Sequence, residues 1–131
     1  MLKLPIYTKN HFSFGEEQLE EFRVGDLVTK PDAHYDQVDV ILRIDEGVAH
    51  GVNVYRLDNG ELRSGAQGTM YGPFVRLGTI SLAEVARSQA RHNVSPDDPR
   101  FSDEMAKIHQ GYIEAQATCS AVYPSPSTSF V

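Results

Sequence analysis

The chain has 131 residues, 40% of them apolar and 23% charged, with a net charge of −6. That length and composition suit one soluble domain with an appendage and exclude disorder of the whole chain. The acidic excess is spread out, which disfavours an acidic tail, a surface imitating DNA and non-specific nucleic-acid binding. One cysteine, Cys119, rules out an internal disulfide framework. The first ten residues, MLKLPIYTKN, lack an apolar core and read as no signal peptide. No apolar run approaches the roughly 20 residues that span a bilayer, so the expected compartment is the cytoplasm and no membrane partner is expected.

Residues 1–21 read as an N-terminal arm. Leu2, Leu4 and Ile6 alternate with Lys3 and Pro5, and Phe12 and Phe14 follow as aromatics in a turn. Glu16 to Phe22 (EEQLEEF) carries Leu19 and Phe22 three apart and is expected to add one or two helical turns.

Residues 22–80 read as a compact antiparallel β-unit. Phe22 to Val28 alternates apolar and polar residues until Gly25-Asp26, a bulge or tight bend. Pro31 to Asp36 is turn chemistry. Val38 to Ile44 is rich in branched residues and reads as a central strand, closed by Asp45-Glu46-Gly47. Gly51 to Leu57 alternates again. Asp58-Asn59-Gly60-Glu61 is the strongest local signal: Asn-Gly suits a two-residue type I′ hairpin turn, which needs φ > 0 at both central positions. Glu61 to Ser64 returns, Gly65 to Gly72 reads as a flexible glycine loop, and Phe74 to Ile80 ends the unit.

The stretches Phe22-Arg23-Val24-Gly25-Asp26-Leu27-Val28, Val40-Ile41-Leu42-Arg43-Ile44 and Val54-Tyr55-Arg56-Leu57-Asp58-Asn59-Gly60 resemble the SH3-like small barrels of the Tudor and KOW type. The resemblance implies a small antiparallel barrel that binds a protein tail, a peptide or RNA. Of the aromatics a methyl-amine cage needs, Phe22, Tyr35 and Tyr55 are present and tryptophan is absent.

The character changes at Ser81. Ser81-Leu82-Ala83-Glu84 has the form of a capping box, with Glu84 reaching back to the serine amide. A helix is expected to about His92 with Leu82, Val85, Ala86 and Gln89 inward. Ser95-Pro96-Asp97-Asp98 resembles another helix start, and a further helix is expected from Ser102 to about Thr118 with Met105, Ile108, Tyr112 and Ile113 as its stripe. Gly111 lies inside that helix, at a cost of up to about 1 kcal/mol relative to alanine. Residues 119–131 form a Pro/Ser-rich tail, expected to be extended. The fold class is therefore α+β: an SH3-like β-barrel over 22–80, a helical appendage over 81–118, and extended termini.

No segment carries a catalytic or phosphate-binding signature, and no cofactor is implied. Five histidines are scattered, and the nearest approach to a metal set is Asp32, His34 and Asp36 in one loop, an ordinary turn composition. A pocket joining His34, His50 or His92 to a carboxylate would point to an enzyme without a sequence signature. Arg23, Arg43, Arg56, Arg63 and Arg76, interleaved with tyrosines, form a candidate single-strand nucleic-acid face. Acids on the same strands offer ion pairs instead.

The leading expectation is a non-enzymatic protein-binding module or small assembly subunit, of the kind a phage or mobile element uses as an accessory or inhibitor. Its partners are another protein or its own copies. The candidate contact residues are Leu4, Ile6, Phe12, Phe14, Tyr55, Arg56, Tyr123 and Phe130. A nucleic-acid-binding barrel is the alternative.

Overall fold

The structure is a computed structural model that describes residues 12–30 and 37–128, with side chains for 19–30 and 37–123. Eight strands and two helices run in the order β1 (Phe12–Arg23), β2 (Asp26–Thr29), β3 (Asp39–Asp45), β4 (Val48–Arg56), β5 (Leu62–Ser64), β6 (Gly68–Met70), β7 (Val75–Thr79), α1 (Leu82–Ala90), α2 (Phe101–Thr118) and β8 (Ser120–Thr128). The chain is α+β with antiparallel strand pairing throughout. No described helix is long and apolar enough to cross a membrane.

The main sheet has the order β5-β4-β3-β2-β7, and β6 shares the outer edge of β4 with β5. No ladder among the described strands joins β7 to β5 or β6, so the sheet is open where a closed barrel was expected. Helices take part of the closing role. α1 lies along β5 and α2 against β3, and Leu82, Val85, Ala86 and Tyr112 join the core. Strands covered on both faces carry continuous apolar runs rather than alternation. Leu27-Val28 of β2 and the run Val40-Ile41-Leu42 of β3 are buried accordingly, and the flanking Asp26 and Thr29 are buried with hydrogen-bond partners. β4 has less cover and alternates as its sequence predicts, with Val52 and Val54 in and Tyr55 out.

Several local expectations change. Asn59-Gly60 is a hairpin, but its loop has three residues. Gly60 N–H donates to Leu57 O at 2.8 Å and Leu57 N–H to Glu61 O at 2.9 Å, and Gly60 alone has positive φ (+86°). This is a type I turn closed by a left-handed glycine. Asn59 stays on the right-handed side and spends its Oδ1 accepting from Glu61 N–H at 2.9 Å. The type I′ turn lies instead at Glu46-Gly47, both at positive φ (+50° and +77°), between the paired residues Asp45 and Val48. Glutamate gains nothing from that conformation, which costs an ordinary L-residue roughly 1–2 kcal/mol. Glu46→Asn should raise stability by about 0.5–1 kcal/mol. In urea this appears as a higher midpoint at unchanged slope; a lower midpoint would refute the turn assignment.

Glu16 to Phe22 is strand, not helix. A helix would set Glu16 over Glu20 and Glu17 over Glu21, like charges four apart. The extended form instead pairs with β8, in a register running from Arg23↔Ser120 through Phe22↔Ala121, Glu21↔Val122 and Leu19↔Pro124 to Phe12↔Thr128. The arm and the tail thus make one two-stranded ribbon. Successive residues face opposite ways, so Phe22 is buried and Leu19 is 74% exposed.

The Ser81 cap forms, its Oγ accepting from Glu84 N–H at 3.4 Å, but the Glu84 carboxylate is taken by Arg56 of β4. Ser95-Pro96 makes only turns, and the second helix begins at Phe101, whose ring is buried. In α2 Tyr112 is buried, Met105 and Ile108 are half-buried, and Ile113 is 41% exposed, outside the stripe.

Candidate functional site

Two features stand out from the packed body: the β1–β8 ribbon and a cleft between the helices and β3. The ribbon is fastened by aromatic packing. Phe22 of β1, Phe74 before β7 and Tyr123 of β8 form a triad with ring centroids 5.1–6.0 Å apart, two of the three contacts edge-to-face. Tyr123 O–H donates to Gly47 O at 2.6 Å, fixing β8 to the β3–β4 turn, and burial raises its phenol pKa. The Arg76 guanidinium lies 4.7 Å above the Phe22 ring, reaches Asp26 Oδ2 at 3.3 Å and donates to Glu21 O. Asp26 also accepts from Arg23 N–H at 2.9 Å, holding the bend that ends β1.

The other face of the ribbon is exposed at its described side chains. Val122 is 57% exposed and Leu19 74%. The register sets Leu19 opposite Pro124 and Glu21 opposite Val122, so Leu19 and Val122 are diagonal neighbours on one face. Two-stranded ribbons are marginal alone, so this one depends on its packing against the sheet.

The cleft has a volume of about 390 Å³. Leu42, Ile108, Gly111, Tyr112 and Ala115 supply its apolar surface, and Arg43, Lys107, His92 and three amides its polar one. The α1–β5 seam positions the His92 side. Gln89 Nε2 donates to Ser64 Oγ (2.6 Å) and Gly65 O (2.9 Å). Ser64 Oγ lies 2.7 Å from Ser88 Oγ, which donates to Val85 O at 2.7 Å; the Ser64 hydroxyl therefore donates to Ser88. His92 Nε2 lies 2.8 Å from Ser64 O, and because a carbonyl only accepts, Nε2 carries the proton.

Tyr112 O–H is the one buried side-chain polar atom without a partner among the described residues, and burial pushes its pKa up to about 12. An unmet buried hydroxyl costs about 1–3 kcal/mol. Tyr112→Phe should therefore gain about 1–2 kcal/mol at pH 7. The folded pKa lies above the ordinary phenol value of 10.0, so the folded state holds the phenol proton longer. This group therefore leaves stability unchanged below pH 10 and lowers that of the wild type as pH rises towards about 12, where the unfolded chain ionises first. Denaturant melts at pH 7 and 11.5 check both points; a variant no more stable than wild type at pH 7 would overturn the first.

The five arginines of the candidate nucleic-acid face all have acidic partners. Arg23 meets Glu21 (3.0 Å), Arg43 meets Asp45 (2.7 Å), Arg63 meets Glu61 (3.3 Å), Arg76 meets Asp26, and Arg56 forms a two-pronged pair with Glu84, one prong at 3.2 Å. The Arg56 pair lowers the Glu84 pKa. Arg91 adds a second cation on Glu61.

Of the predicted contact residues, Leu4, Ile6 and Phe130 lie outside the described residues. Phe12 and Phe14 lie in β1 without described side chains. Tyr55 is 51% exposed on β4 beside the paired Arg56, and Tyr123 faces inward in the triad. The Asp32–His34–Asp36 loop and Tyr35 lie outside the described residues, and Phe22 is too buried to line an open cage. No group of three or more metal-ligating side chains occurs among the described residues. His92 reaches a cleft wall without a carboxylate in it, and His50 is not in that wall. Sequence reasoning missed the Leu19–Val122 pairing and the cleft; Gly111, a glycine inside a helix, was the local trace of the cleft. Comparison with family models, curated proteins and solved structures gives no match.

Proposed function

We propose that the chain is a cytosolic, non-enzymatic protein-binding module, or a small subunit of an assembly, and that the outer face of the β1–β8 ribbon is its contact surface. The observation that carries this reading is the diagonal pair of exposed apolar side chains, Leu19 and Val122, on a ribbon whose opposite face is anchored to the core. Contact through the face fits better than strand addition at the edges. β8 lacks amide donors at Pro124 and Pro126, and β1 carries Glu16, Glu17, Glu20 and Glu21, both devices that protect an edge. In the same reading the main sheet is an opened relative of the SH3-like barrels, supported by the strand and hairpin order from Phe22 to Ile80, with helices covering what the barrel would close. The ion pairs weigh against the nucleic-acid alternative, because acids interleaved with all five arginines leave that face without the excess of positive charge that contact with many phosphates needs. The accessory role in a phage or mobile element stays attached to this reading as its biological setting.

The test uses the wild-type chain and a Leu19→Lys/Val122→Lys variant as baits in the source cell, with sedimentation velocity of each purified chain. Wild type should self-associate or retain a protein in stoichiometric amount, and the variant should lose that species while melting at the same temperature. Identical assemblies for both would refute the assignment.

A further inference from the structure

The cleft between α1, α2 and β3 has a composition that the protein-binding reading does not use. The chain is acidic overall, yet the titratable side chains lining the cleft are Arg43, His92, Lys107 and Tyr112, with no carboxylate among them. Two carboxylates are bonded to cleft-lining side chains: Asp45 to Arg43 Nε at 2.7 Å, and Glu104 to Asn93 Nδ2 at 3.2 Å. The Arg43–Asp45 pair is more than half exposed on both sides (55% and 56%), which makes it a weak one, and Lys107 enters no ion pair among the described residues. Beneath this cationic rim lie Leu42 and Tyr112, both buried, with half-buried Ile108 and Ala115.

Gly111 keeps the space open. A Cβ built there meets nothing within 4 Å, so no packing requires glycine, and its φ is not in the left-handed region. Glycine inside a helix is unfavourable relative to alanine. What it preserves here is room beside Tyr112, whose hydroxyl has no partner. A concave site of this size, apolar below and with a few polar groups converging above, is the usual form of a small-molecule site.

We propose that the cleft binds a small organic anion, its apolar body against Leu42, Ile108 and Tyr112 and its carboxylate, sulfonate or phosphate between Arg43 and Lys107. The charge complementarity selects the anion, and the apolar floor excludes a bare inorganic ion as the preferred ligand.

Two fluorescent probes that differ by one sulfonate test this: 1-anilinonaphthalene-8-sulfonate and neutral N-phenyl-1-naphthylamine, titrated into the full chain at low salt. The sulfonate should bind about 10-fold tighter, the scale of two partly exposed charge contacts. Arg43→Gln/Lys107→Gln should remove that ratio and leave the neutral probe unchanged. Gly111→Leu should weaken both probes by about 10-fold or more, from loss of the apolar cavity, with a melting temperature at or above wild type. Equal binding of the two probes, or an unchanged ratio in the double variant, would overturn the proposal. Unchanged probe binding in Gly111→Leu would do so as well, placing the probe elsewhere, for instance on the ribbon. The ribbon variant Leu19→Lys/Val122→Lys should bind both probes as wild type does, which keeps this outcome separate from that of the protein-contact reading.

Discussion

Gly51→Ala should destabilise the protein severely. A Cβ at Gly51 would lie 2.1 Å from Val40 O and 2.4 Å from Met70 Sδ. The methionine can move, but the carbonyl belongs to β3, whose residue Ile41 pairs with Gly51 while Gly68 of β6 pairs from the other side. Relief therefore requires prising apart the centre of the sheet. Overpacking against side chains costs about 1–3 kcal/mol, and an obstacle made of backbone belongs at or above the top of that range. Against a total stability of about 5–15 kcal/mol, that is enough to lower the urea midpoint severely. Gly68→Ala is the control. Nothing lies within 4 Å of its Cβ, and it should stay within about 0.5 kcal/mol of wild type. Equal effects at the two glycines would refute the tight β3–β4–β6 contact.

Phe22→Ala should cost about 3–5 kcal/mol, the usual range for emptying a buried phenylalanine site. Phe22 has no exposed surface, meets Phe74 and Tyr123, and carries the Arg76 guanidinium on its face. The loss should be uneven. The ribbon is held to the sheet through this triad, so amide protection along residues 12–23 and 120–128 should fall before protection in β3 and β4. Leu19→Ala, three residues away on the opposite face, should change stability by less than about 0.5 kcal/mol. Hydrogen exchange followed by mass spectrometry separates the two; a Phe22→Ala chain with normal ribbon protection would show that the triad does not anchor it.

What the sequence displays well is what nearest neighbours decide. The branched run Val38 to Ile44, the alternation from Gly51 to Leu57, the bend at Gly25 and the serine cap at Ser81 all appear where local patterning places them. Gly25 has φ +100° and donates to Ile41 O at 2.8 Å, so the bend also ties β1's end to β3. The failures are non-local. Nothing near Glu16 to Phe22 announces a partner about a hundred residues onward, and without it Leu19 and Phe22 spaced by three resemble a helix face. Glu84 has the spacing of a capping box, and Arg56 outbids the serine amide because a two-pronged ion pair is the stronger contact. Asn-Gly carries the better type I′ propensity, yet that turn forms at Glu46-Gly47, where the direct opposition of Asp45 and Val48 demands it. Strand β6, in a segment that reads as a glycine loop, exists because β4 extends past β5 and leaves edge groups to pair. The cleft is further still from local pattern, since β3, α1 and α2 each supply part of its wall.

The proposed contact face is best tested by site-specific photo-crosslinking in the source cell. A photoreactive phenylalanine analogue is placed at Leu19 or Val122, and in controls at Tyr71 or Ile113, which are 66% and 41% exposed elsewhere. Cross-links to one partner, or to a second copy, from positions 19 and 122 and not from 71 or 113 are the expected result. Cross-links from the control positions with none from 19 and 122 would contradict the assignment of the ribbon as the contact surface.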